Sequence, residues 1–424
     1  MNGGLSMAEM KCGYKMTEVG VIPEDWEVKE LGDITKDMSD GPFGSNLKSC
    51  HYTNKKEVRI IQLSNIGTDG WSDNNRKYTT YKHLDTIRRC EVKSGNLVIA
   101  KMMPAGRAII CPSTDAAYVL SSDAVRVNLL ECVNNDYAFY CTKSGYYLSQ
   151  IAENTQGSTR ARTSIKKLRN ILFCMPDVKE QVAIATALSD VDSLISALTK
   201  KIEKKKAIKL GLMQQLLTGK KRLPGFNDKW KSMLLGDIAE VKDGTHQTPQ
   251  YVKSGGKPFY SVENVTADDF KNVKHISLEE HKALTSNYRI EKGDVLMTRI
   301  GSIGCCKYVD WDVDASFYVS LALLKINEKY DSKFISYLSN IKSFKEEVML
   351  NSLVFAIPQK INLGNISLIK VYIPTSKAEQ TAISNILSDC DSEIAALEEK
   401  RDKYKEIKQG MMQQLLTGKI RLIK

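Results

Sequence analysis

The sequence lacks the cysteine and histidine spacings that bind metals or build disulfide frameworks. Its ten cysteines are scattered, the closest pair being the adjacent Cys305 and Cys306, and it has only five histidines. No Cys-x-x-Cys motif occurs, which excludes the common structural zinc sites. This usage predicts reduced and mostly buried thiols.

The motifs of common nucleic-acid enzymes are also missing. There is no Gly-x-x-x-x-Gly-Lys-Ser/Thr phosphate loop, and no Asp-Pro-Pro-Tyr or Asn-Pro-Pro-Phe tetrapeptide of the amino-methyltransferase type. Two acidic fragments invite comparison with nuclease sites, but residues 23–29 crowd their acids together and Glu203 falls within a helical pattern. We therefore predict no catalytic residue, no metal and no cofactor, and a cryptic nuclease is the weakest alternative.

Membrane and export signals are not apparent from the sequence. No stretch approaches the roughly 18 apolar residues that span a bilayer, and residues 1–16 carry charge without an apolar run, which predicts an N-terminal tail and not a signal peptide. We expect a cytoplasmic protein with no membrane partner. A length of 424 residues predicts two globular units.

A long internal repeat is the strongest feature that is present. Residues Glu180–Leu223 align with Glu379–Leu422 without a gap, and 28 of the 44 positions are identical. Earlier in each half, Trp26 and Trp230 are each followed, after four residues, by Leu-Gly-Asp-Ile. A duplication of this kind indicates two related structural units in one chain.

The repeat divides the chain into domains and helical regions of mixed α/β (α+β) character. Strand-like segments such as Val58–Ile66, Gly95–Met102, Ala124–Leu130 and Gly293–Ile300 are rich in β-branched residues. The predicted regions are an N-terminal tail at 1–16, a first domain at 17–175, a central helical region at 176–222, a second domain at 223–373 and a C-terminal helical region at 374–424.

Each repeated segment has the apolar spacing of a coiled coil. Steps of four and three residues keep one stripe on a single helix face. Forty residues from Val178 to Leu217 would extend roughly 60 Å, more than a compact domain needs internally, although packing inside each domain is the structural alternative. Gly219 and Gly418 should end the helices. The predicted seam consists of Ile184, Leu188, Val191, Ile195, Leu198, Ile202, Ile383, Leu387, Cys390, Ile394 and Leu397.

Connectivity predicts that the two helices run antiparallel. The first leaves the first domain and ends at the second, and the other starts at the second domain, so pairing along the seams sends it back. The expected architecture is two domains joined by a long antiparallel two-helix coiled coil with approximate twofold symmetry.

Candidate nucleic-acid contacts lie in loops that differ between the halves. Asp40–Lys48 (the first loop) and Lys242–Val252 (the second loop) are rich in glycine, hydroxyl and amide side chains, which suit contact with base edges, while their cations suit phosphates. An ordinary surface turn is an equally good explanation for any one residue. The predicted contacts are Phe43, Ser45, Asn46, Lys48, Thr245, His246, Gln247 and Tyr251.

A second candidate surface is the basic segment Asn154–Lys167 and its less basic counterpart in the second half. Lys101 and Arg299 occupy equivalent positions after paired strands, where phosphate contact and an internal ion pair are equally plausible. A net charge of +11 favours an anionic partner without identifying it. The predicted contacts here are Lys101, Ser158, Thr159, Arg160, Arg162, Arg299, Ser352, Gln359 and Lys360.

In organisation, the chain resembles the type I restriction-modification specificity subunit from Thr17 onward. The resemblance is carried by the paired Leu-Gly-Asp-Ile openings, Asp243–Tyr251, Gly293–Gly304 and the Leu-Leu-Thr-Gly-Lys endings, in this order and duplicated. It implies two target recognition domains that each bind part of a split, asymmetric site in double-stranded DNA. The helices would then set the spacer between the two parts.

The resemblance also implies partners that perform the chemistry. These are two DNA adenine methyltransferase subunits and a translocating restriction subunit, while this chain catalyses nothing. The alternative from another class is a stand-alone bipartite DNA-binding regulator or scaffold, which co-purification with a methyltransferase would distinguish.

Overall fold

A computed structural model describes residues 12–102, 104–155, 162–353 and 355–423. The chain divides into two compact units: the first contains residues up to Leu198 together with those from Lys400 onward, and the second is Thr199–Glu399. Each unit therefore holds one globular half and part of each long helix. The predicted boundaries, which give the helices regions of their own, stay a prediction.

The globular part of the first unit is built from short strands and four short helices in its described residues. The helices are α1 (Tyr81–Thr86), α2 (Asn135–Cys141), α3 (Gly145–Asn154) and α4 (Ile165–Arg169). The strands are β1 (Tyr14–Thr17), β2 (Gly20–Pro23), β3 (Glu27–Glu30), β4 (Thr35–Asp40), β5 (Tyr52–Thr53), β6 (Val58–Ile61), β7 (Tyr78–Thr79), β8 (Glu91–Val92), β9 (Leu97–Ala100), β10 (Ala108–Ile110), β11 (Tyr118–Leu120), β12 (Ala124–Leu129) and β13 (Leu172–Met175).

Two larger sheets organise this half around two cores. One has the order β10-β9-β12-β4 and is antiparallel; the other has the order β5-β7-β6-β11-β8 and contains the parallel pair β6 and β11. Strand β9 lies between the cores, since Leu97 and Ile99 face the core that receives the long helices, and Val98 and Ala100 face the other. Burial on both faces explains the uninterrupted apolar run of this strand.

The second unit repeats this plan with different details. Its short helices are α6 (Leu235–Ile238), α7 (Val262–Ala267), α8 (Leu278–Leu284), α9 (Ser332–Leu338), α10 (Lys342–Leu350) and α11 (Leu363–Ser367). The strands are β14 (Trp230–Leu234), β15 (Ala239–Asp243), β16 (Tyr251–Val252), β17 (Lys257–Tyr260), β18 (Lys274–Ile276), β19 (Val295–Thr298), β20 (Cys306–Tyr308), β21 (Ser316–Phe317), β22 (Leu321–Ile326) and β23 (Lys370–Pro374).

The sheets of the second unit correspond to those of the first. The order β15-β22-β19-β20 is antiparallel, and the order β16-β18-β17-β21 contains the parallel pair β17 and β21. In β19, Val295 and Met297 face one core and Leu296 faces the other. Together the two units confirm the predicted mixed α/β class.

The two long helices are α5 (Val178–Leu216) and α12 (Lys377–Leu415), of 39 residues each. Each ends just before a glycine in the left-handed conformation, Gly219 at φ +68° and Gly418 at φ +66°, which confirms the predicted stops. Of the predicted seam, Ile184, Leu188, Leu198, Ile202, Ile383, Leu387 and Ile394 are buried, and Val191, Ile195, Cys390 and Leu397 are half-buried.

Ion pairs show the direction of the helix segments inside each unit. In the first unit, Asp192 pairs with Lys408 at 2.6 Å, and Glu180 pairs with Arg421, which follows the end of α12, at 2.6 Å. In the second unit, Lys205 pairs with Glu393 at 2.7 Å, Lys206 with Glu398 at 2.6 Å, and Lys209 with Asp391. From Glu180–Arg421 to Asp192–Lys408, and from Lys206–Glu398 to Lys209–Asp391, the numbers rise on the first segment as they fall on the second, so the segments within each unit run antiparallel.

A buried cluster joins the helices to the globular part of each unit; we call it the Trp–Glu–Arg clasp. In the first unit, Trp26 Nε1 donates to Glu180 at 3.0 Å, and Arg421 donates to Glu180 at 2.6 and 2.7 Å. In the second unit, Arg222 donates to Glu379 at 2.6 and 2.7 Å, and Trp230 Nε1 donates at 3.4 Å. Both glutamates have no exposed surface.

One minor prediction was wrong. Only Cys90, Cys111, Cys141 and Cys174 are buried, so most of the ten cysteines are exposed or half-buried, although all ten are free thiols.

Helix α5 contains an 18-residue window of mean hydropathy 1.4, which meets a length and composition criterion for a membrane span. The criterion is weak here, because α5 contributes core residues to its own units and carries Asp192 in an ion pair.

Candidate nucleic-acid interface

The first and second loops leave equivalent corners of the two units. Strands β4 and β15 end at Asp40 and Asp243, and each is followed by a glycine that lies in close contact with the backbone of another segment of its own unit. A Cβ on Gly41 would lie 1.7 Å from the carbonyl oxygen of Ser121, and a Cβ on Gly244 would lie 2.5 Å from the backbone of Tyr318. Only glycine permits this approach, which fixes where both loops begin.

The first loop presents all four of its predicted contacts to solvent. Phe43 is 70% exposed, and the Arg89 guanidinium lies 6.0 Å from its ring centroid. Ser45 donates to the Asn46 side chain at 3.2 Å, and the carbonyl of Asn46 is 2.9 Å from His83 Nε2. Lys48 is exposed. These side chains are accessible, and their contact with DNA stays a prediction.

The second loop is more firmly held to its unit. The amide of Thr245 donates to the carbonyl of Phe317 at 3.1 Å, and His246 Nε2 lies 2.8 Å from an Asp243 carboxylate oxygen. Gln247 is exposed, and Tyr251 is 48% exposed with the Lys274 ammonium 5.0 Å from its ring centroid. The exposed amide, imidazole and phenol are the groups available to a ligand.

Lys101 and Arg299 occupy equivalent positions and form equivalent ion pairs. Lys101 Nζ donates to Asp40 at 3.4 Å, and Arg299 Nη1 donates to Asp243 at 2.5 Å. Arg299 is only 8% exposed and also donates to the carbonyl of Ile361 at 3.3 Å. Of the two explanations that the sequence allowed, an internal ion pair agrees with this geometry. Phosphate contact by either residue stays a prediction.

The basic segment is only partly described. Ser158, Thr159 and Arg160 lie outside the described residues, while Arg162 is exposed and donates to Asp123 at 2.7 Å. In the second unit, Ser352 Oγ donates to the carbonyl of Met349 at 2.8 Å, and Gln359 Nε2 lies 3.4 Å from Met349 Sδ. Lys360 is exposed and is bridged through its backbone to Ile300 and Leu353.

Sequence reasoning missed two exposed features. Phe355 and Ile357, beside Gln359, are 99% and 100% exposed. In the first unit, the Asn75 side-chain amide donates to Gln62 at 3.0 Å, and Gln62 lines a cleft of about 360 Å³. A polar residue placed directly after the buried strand β6 was the available signal for Gln62; the position of Asn75 depends on the fold.

A Ser–His–Asp arrangement in the second unit is structural. His281 Nδ1 lies 3.0 Å from Ser316 Oγ, and its Nε2 lies 2.9 Å from Asp314, whose pKa is lowered chiefly by a hydrogen bond from Lys257. Ser316 is only 3% exposed, so the hydroxyl that would act as nucleophile is closed to a substrate. Among the described residues, no group of three or more His, Cys, Asp or Glu side chains is placed to hold a metal ion.

Two relatives match this chain along nearly its whole length. The type I restriction enzyme MjaVIII specificity subunit of Methanocaldococcus jannaschii is 26% identical over 95% of this chain and 94% of its own. A protein of the same organism, provisionally named the type I restriction enzyme MjaX specificity subunit, is 26% identical over 96% of this chain and 97% of its own.

Solved structures show the same fold. The S subunit of a type I restriction-modification system from M. genitalium superposes with a TM-score of 0.60 at 17% identity, covering 92% of this chain and 96% of that chain. A chain from a study of complex assembly and conformational transition of the type I R-M system gives a TM-score of 0.54 at 15% identity, covering 94% and 99%.

The family model of the type I restriction modification DNA specificity domain matches the chain twice, over residues 23–209 and 227–409. Each match runs from the start of one globular half into the long helix that follows it. The chain therefore belongs to the family of type I restriction-modification DNA specificity subunits, which recognise DNA and catalyse no reaction.

Proposed function

We propose that this chain is the subunit that selects a split target in double-stranded DNA, each unit binding one part and the long helices setting the unread spacer. The observation that carries the proposal is the double match of the DNA specificity domain, one match per globular half. The exposed loops at equivalent corners differ in residue type, which suits two different base sequences.

The helices support the role of a spacer. Each has 39 residues, which corresponds to about 58 Å at 1.5 Å per residue. The antiparallel ion pairs inside each unit and the burial of the seam favour one continuous coiled coil through both units. Sites roughly 34 Å apart lie on one face of the duplex, a separation that a rod of this length accommodates.

The proposed partners supply what this chain does not carry. They are DNA adenine methyltransferase subunits and a translocating restriction subunit, with which the chain would act in the cytoplasm. A net charge of +11 supports the binding of DNA phosphates, so affinity should fall steeply as salt concentration rises.

The spacer role is tested by lengthening both helices together. Inserting four helical residues after Leu198 in α5 and after Glu399 in α12, at the boundaries of the units, adds about 6 Å. The preferred spacer should grow by one or two base pairs, while both half-site sequences stay unchanged, as mapped by sequencing of methylated adenines. A control chain carries four substitutions at the same places without insertion. An unchanged spacer in the lengthened chain would contradict the proposal.

A further inference from the structure

The parallel strands of the first unit end beside a polar cleft. Strands β6 and β11 pair in parallel with Ile61 opposite Leu120, so Gln62 and Ser121 follow at the same level. The cleft beside them has a volume of about 360 Å³ and is lined by Gln62, Ser64, Ser121, Ser122 and Asp123 among others. In sheets with parallel strands, ligands favour the edge formed by the carboxyl ends.

Two amide side chains at this edge are joined to each other. Asn75 Nδ2 donates to Gln62 Oε1 at 3.0 Å. In the part of the chain that the structure describes, Gln62 Nε2 and Asn75 Oδ1 make no hydrogen bond of their own. The pair therefore keeps donor hydrogens on Gln62 and an acceptor oxygen on Asn75, with Asn75 exposed and Gln62 half-buried.

A fully buried asparagine holds this pair in place. Asn65 has no exposed surface; its Oδ1 accepts from the amide of Gln62 at 2.9 Å. Its Nδ2 donates to the carbonyls of Ser72 at 2.9 Å and Asn74 at 2.6 Å, directly before Asn75. Recognition sites need their contacting residues fixed by supporting hydrogen bonds of this kind.

The backbone of Asn75 is also unusual. Its φ of +53° lies in the left-handed region, which asparagine tolerates better than most residues other than glycine. Such conformations gather at ligand-binding positions, where surrounding contacts maintain them.

The second unit keeps the support and changes the exposed residue. Asn264 Oδ1 accepts from the amide of Ser261 at 2.9 Å, and its Nδ2 donates to the carbonyl of Asp269 at 3.1 Å. Ser261 follows β17 as Gln62 follows β6, so serine stands where the first unit has glutamine. A shared scaffold with an exchanged side chain is expected where two units select different bases.

We propose that Gln62 and Asn75 together recognise one adenine through its major-groove edge; this inference rests on the proposed function. Adenine presents the N7 acceptor and the N6 amino donor side by side. Gln62 Nε2 would donate to N7, and Asn75 Oδ1 would accept from the N6 amino group. Guanine presents O6 in place of that amino group, so its oxygen would face Asn75 Oδ1 and be repelled.

The test uses the full chain in complex with its methyltransferase subunit, after the wild-type target has been mapped. Each adenine of the half-site is replaced in turn by 7-deazaadenine, which lacks only the N7 acceptor, and equilibrium binding is measured. At one adenine the analogue should weaken wild-type binding about tenfold, the scale of losing a specific base contact. The same analogue should not weaken DNA binding by the Gln62→Glu variant any further. This variant keeps a side-chain oxygen that accepts from Asn75, but it lacks the amide hydrogen that would be donated to N7.

A second variant examines the acceptor. Asn75→Gly suits the left-handed backbone and removes the side chain, so the fold is retained while the preference for A·T over G·C falls at the same position. Ser261→Ala in the second unit is the matched control and should leave that position unchanged. If no adenine responds to the analogue, or the two variants act at different positions, the inference is wrong. If the wild-type complex has no sequence preference, the proposed function fails as well.

Discussion

The two units are most alike where the helices enter them and least alike at their exposed loops. Both place a tryptophan, a buried glutamate and an arginine in the Trp–Glu–Arg clasp, and in both the glutamate lies near the start of one long helix and the arginine follows the end of the other. Among the residues that the structure describes, Arg222 forms an ion pair with Glu379 alone, whereas Arg421 also donates to Asp25 at 2.9 and 2.8 Å. Arg421 is therefore bound by two carboxylates and Arg222 by one.

The loops show the opposite pattern. Both begin with an aspartate followed by a glycine that lies close to the backbone of another segment, Asp40–Gly41 and Asp243–Gly244. The exposed residues that follow differ, since the first loop has Phe43 and the second has His246. The two halves have therefore kept the same residues at the helix attachments, where both units need the same geometry. Their sequences have diverged in the loops, where the exposed side chains must differ.

The largest expected effect comes from breaking the clasp. Arg421→Ala and Arg222→Ala each leave a buried glutamate without its cation, which costs about 3–5 kcal/mol of stability. Arg421→Ala should be the more damaging, because Asp25 loses its partner too; the hydrogen bond from Arg421 is the main cause of the lowered pKa of Asp25. Urea denaturation of the full chain measures the difference.

The control for this prediction removes the buried charge as well. Arg421→Ala combined with Glu180→Gln should lose less stability than the sum of the two single variants, because the uncompensated carboxylate is gone. Additive losses would show that the two side chains do not act as a pair.

A smaller difference is expected at the glycines that end the helices. Both Gly219 and Gly418 have positive φ, so alanine at either costs about 1 kcal/mol or somewhat more from backbone strain. A Cβ at Gly418 would also lie 2.4 Å from the Pro23 ring, whereas at Gly219 the nearest atom, on Trp230, is 3.3 Å away. Thermal unfolding should therefore show a clearly larger fall for Gly418→Ala, and equal falls would contradict the role of Pro23.

The sequence predicted the helices better than it predicted the site. The spacing of Ile184, Leu188 and Ile202 and the positions of Gly219 and Gly418 carry local information, and α5 begins at the predicted Val178 and ends one residue before the predicted Leu217. The clasp was not predicted, because Trp26, Glu180 and Arg421 are far apart in sequence and only the return of the second helix brings them together.

Site residues depend on which side chains of a loop face outward, and this is set by tertiary contacts. Arg299 is a residue type that suits contact with phosphate, but in the structure it is buried and paired with Asp243. Phe355 and Ile357 are residue types that usually lie in a hydrophobic core, yet both are fully exposed. The segment Ala315–Ile326, which has the composition of one continuous strand, forms the two strands β21 and β22, separated by a turn in which the amide of Leu321 donates to the carbonyl of Tyr318.

A further expected effect, which develops only at alkaline pH, concerns a lysine that one unit has and the other lacks. Burial lowers the pKa of Lys143 to about 8, and its Nζ lies 4.3 Å from the Phe139 ring centroid and donates to the carbonyl of Asp69 at 2.9 Å. The equivalent position after α9 is the exposed Asn340. The second unit therefore offers a natural replacement.

The pH dependence of stability follows from the direction of this shift. Below about pH 8 Lys143 is charged in both states, and the folded state bears the full cost of burying it. As pH rises from about 8 towards 10.5, the folded chain releases the proton before the unfolded chain does, so stability rises. The free energy of unfolding of the wild type, minus that of Lys143→Asn, should therefore increase over this interval. Asn340→Lys, which adds an exposed lysine with no comparable burial, should show no such increase, and a flat difference for both variants would mean that Lys143 remains charged in the folded protein.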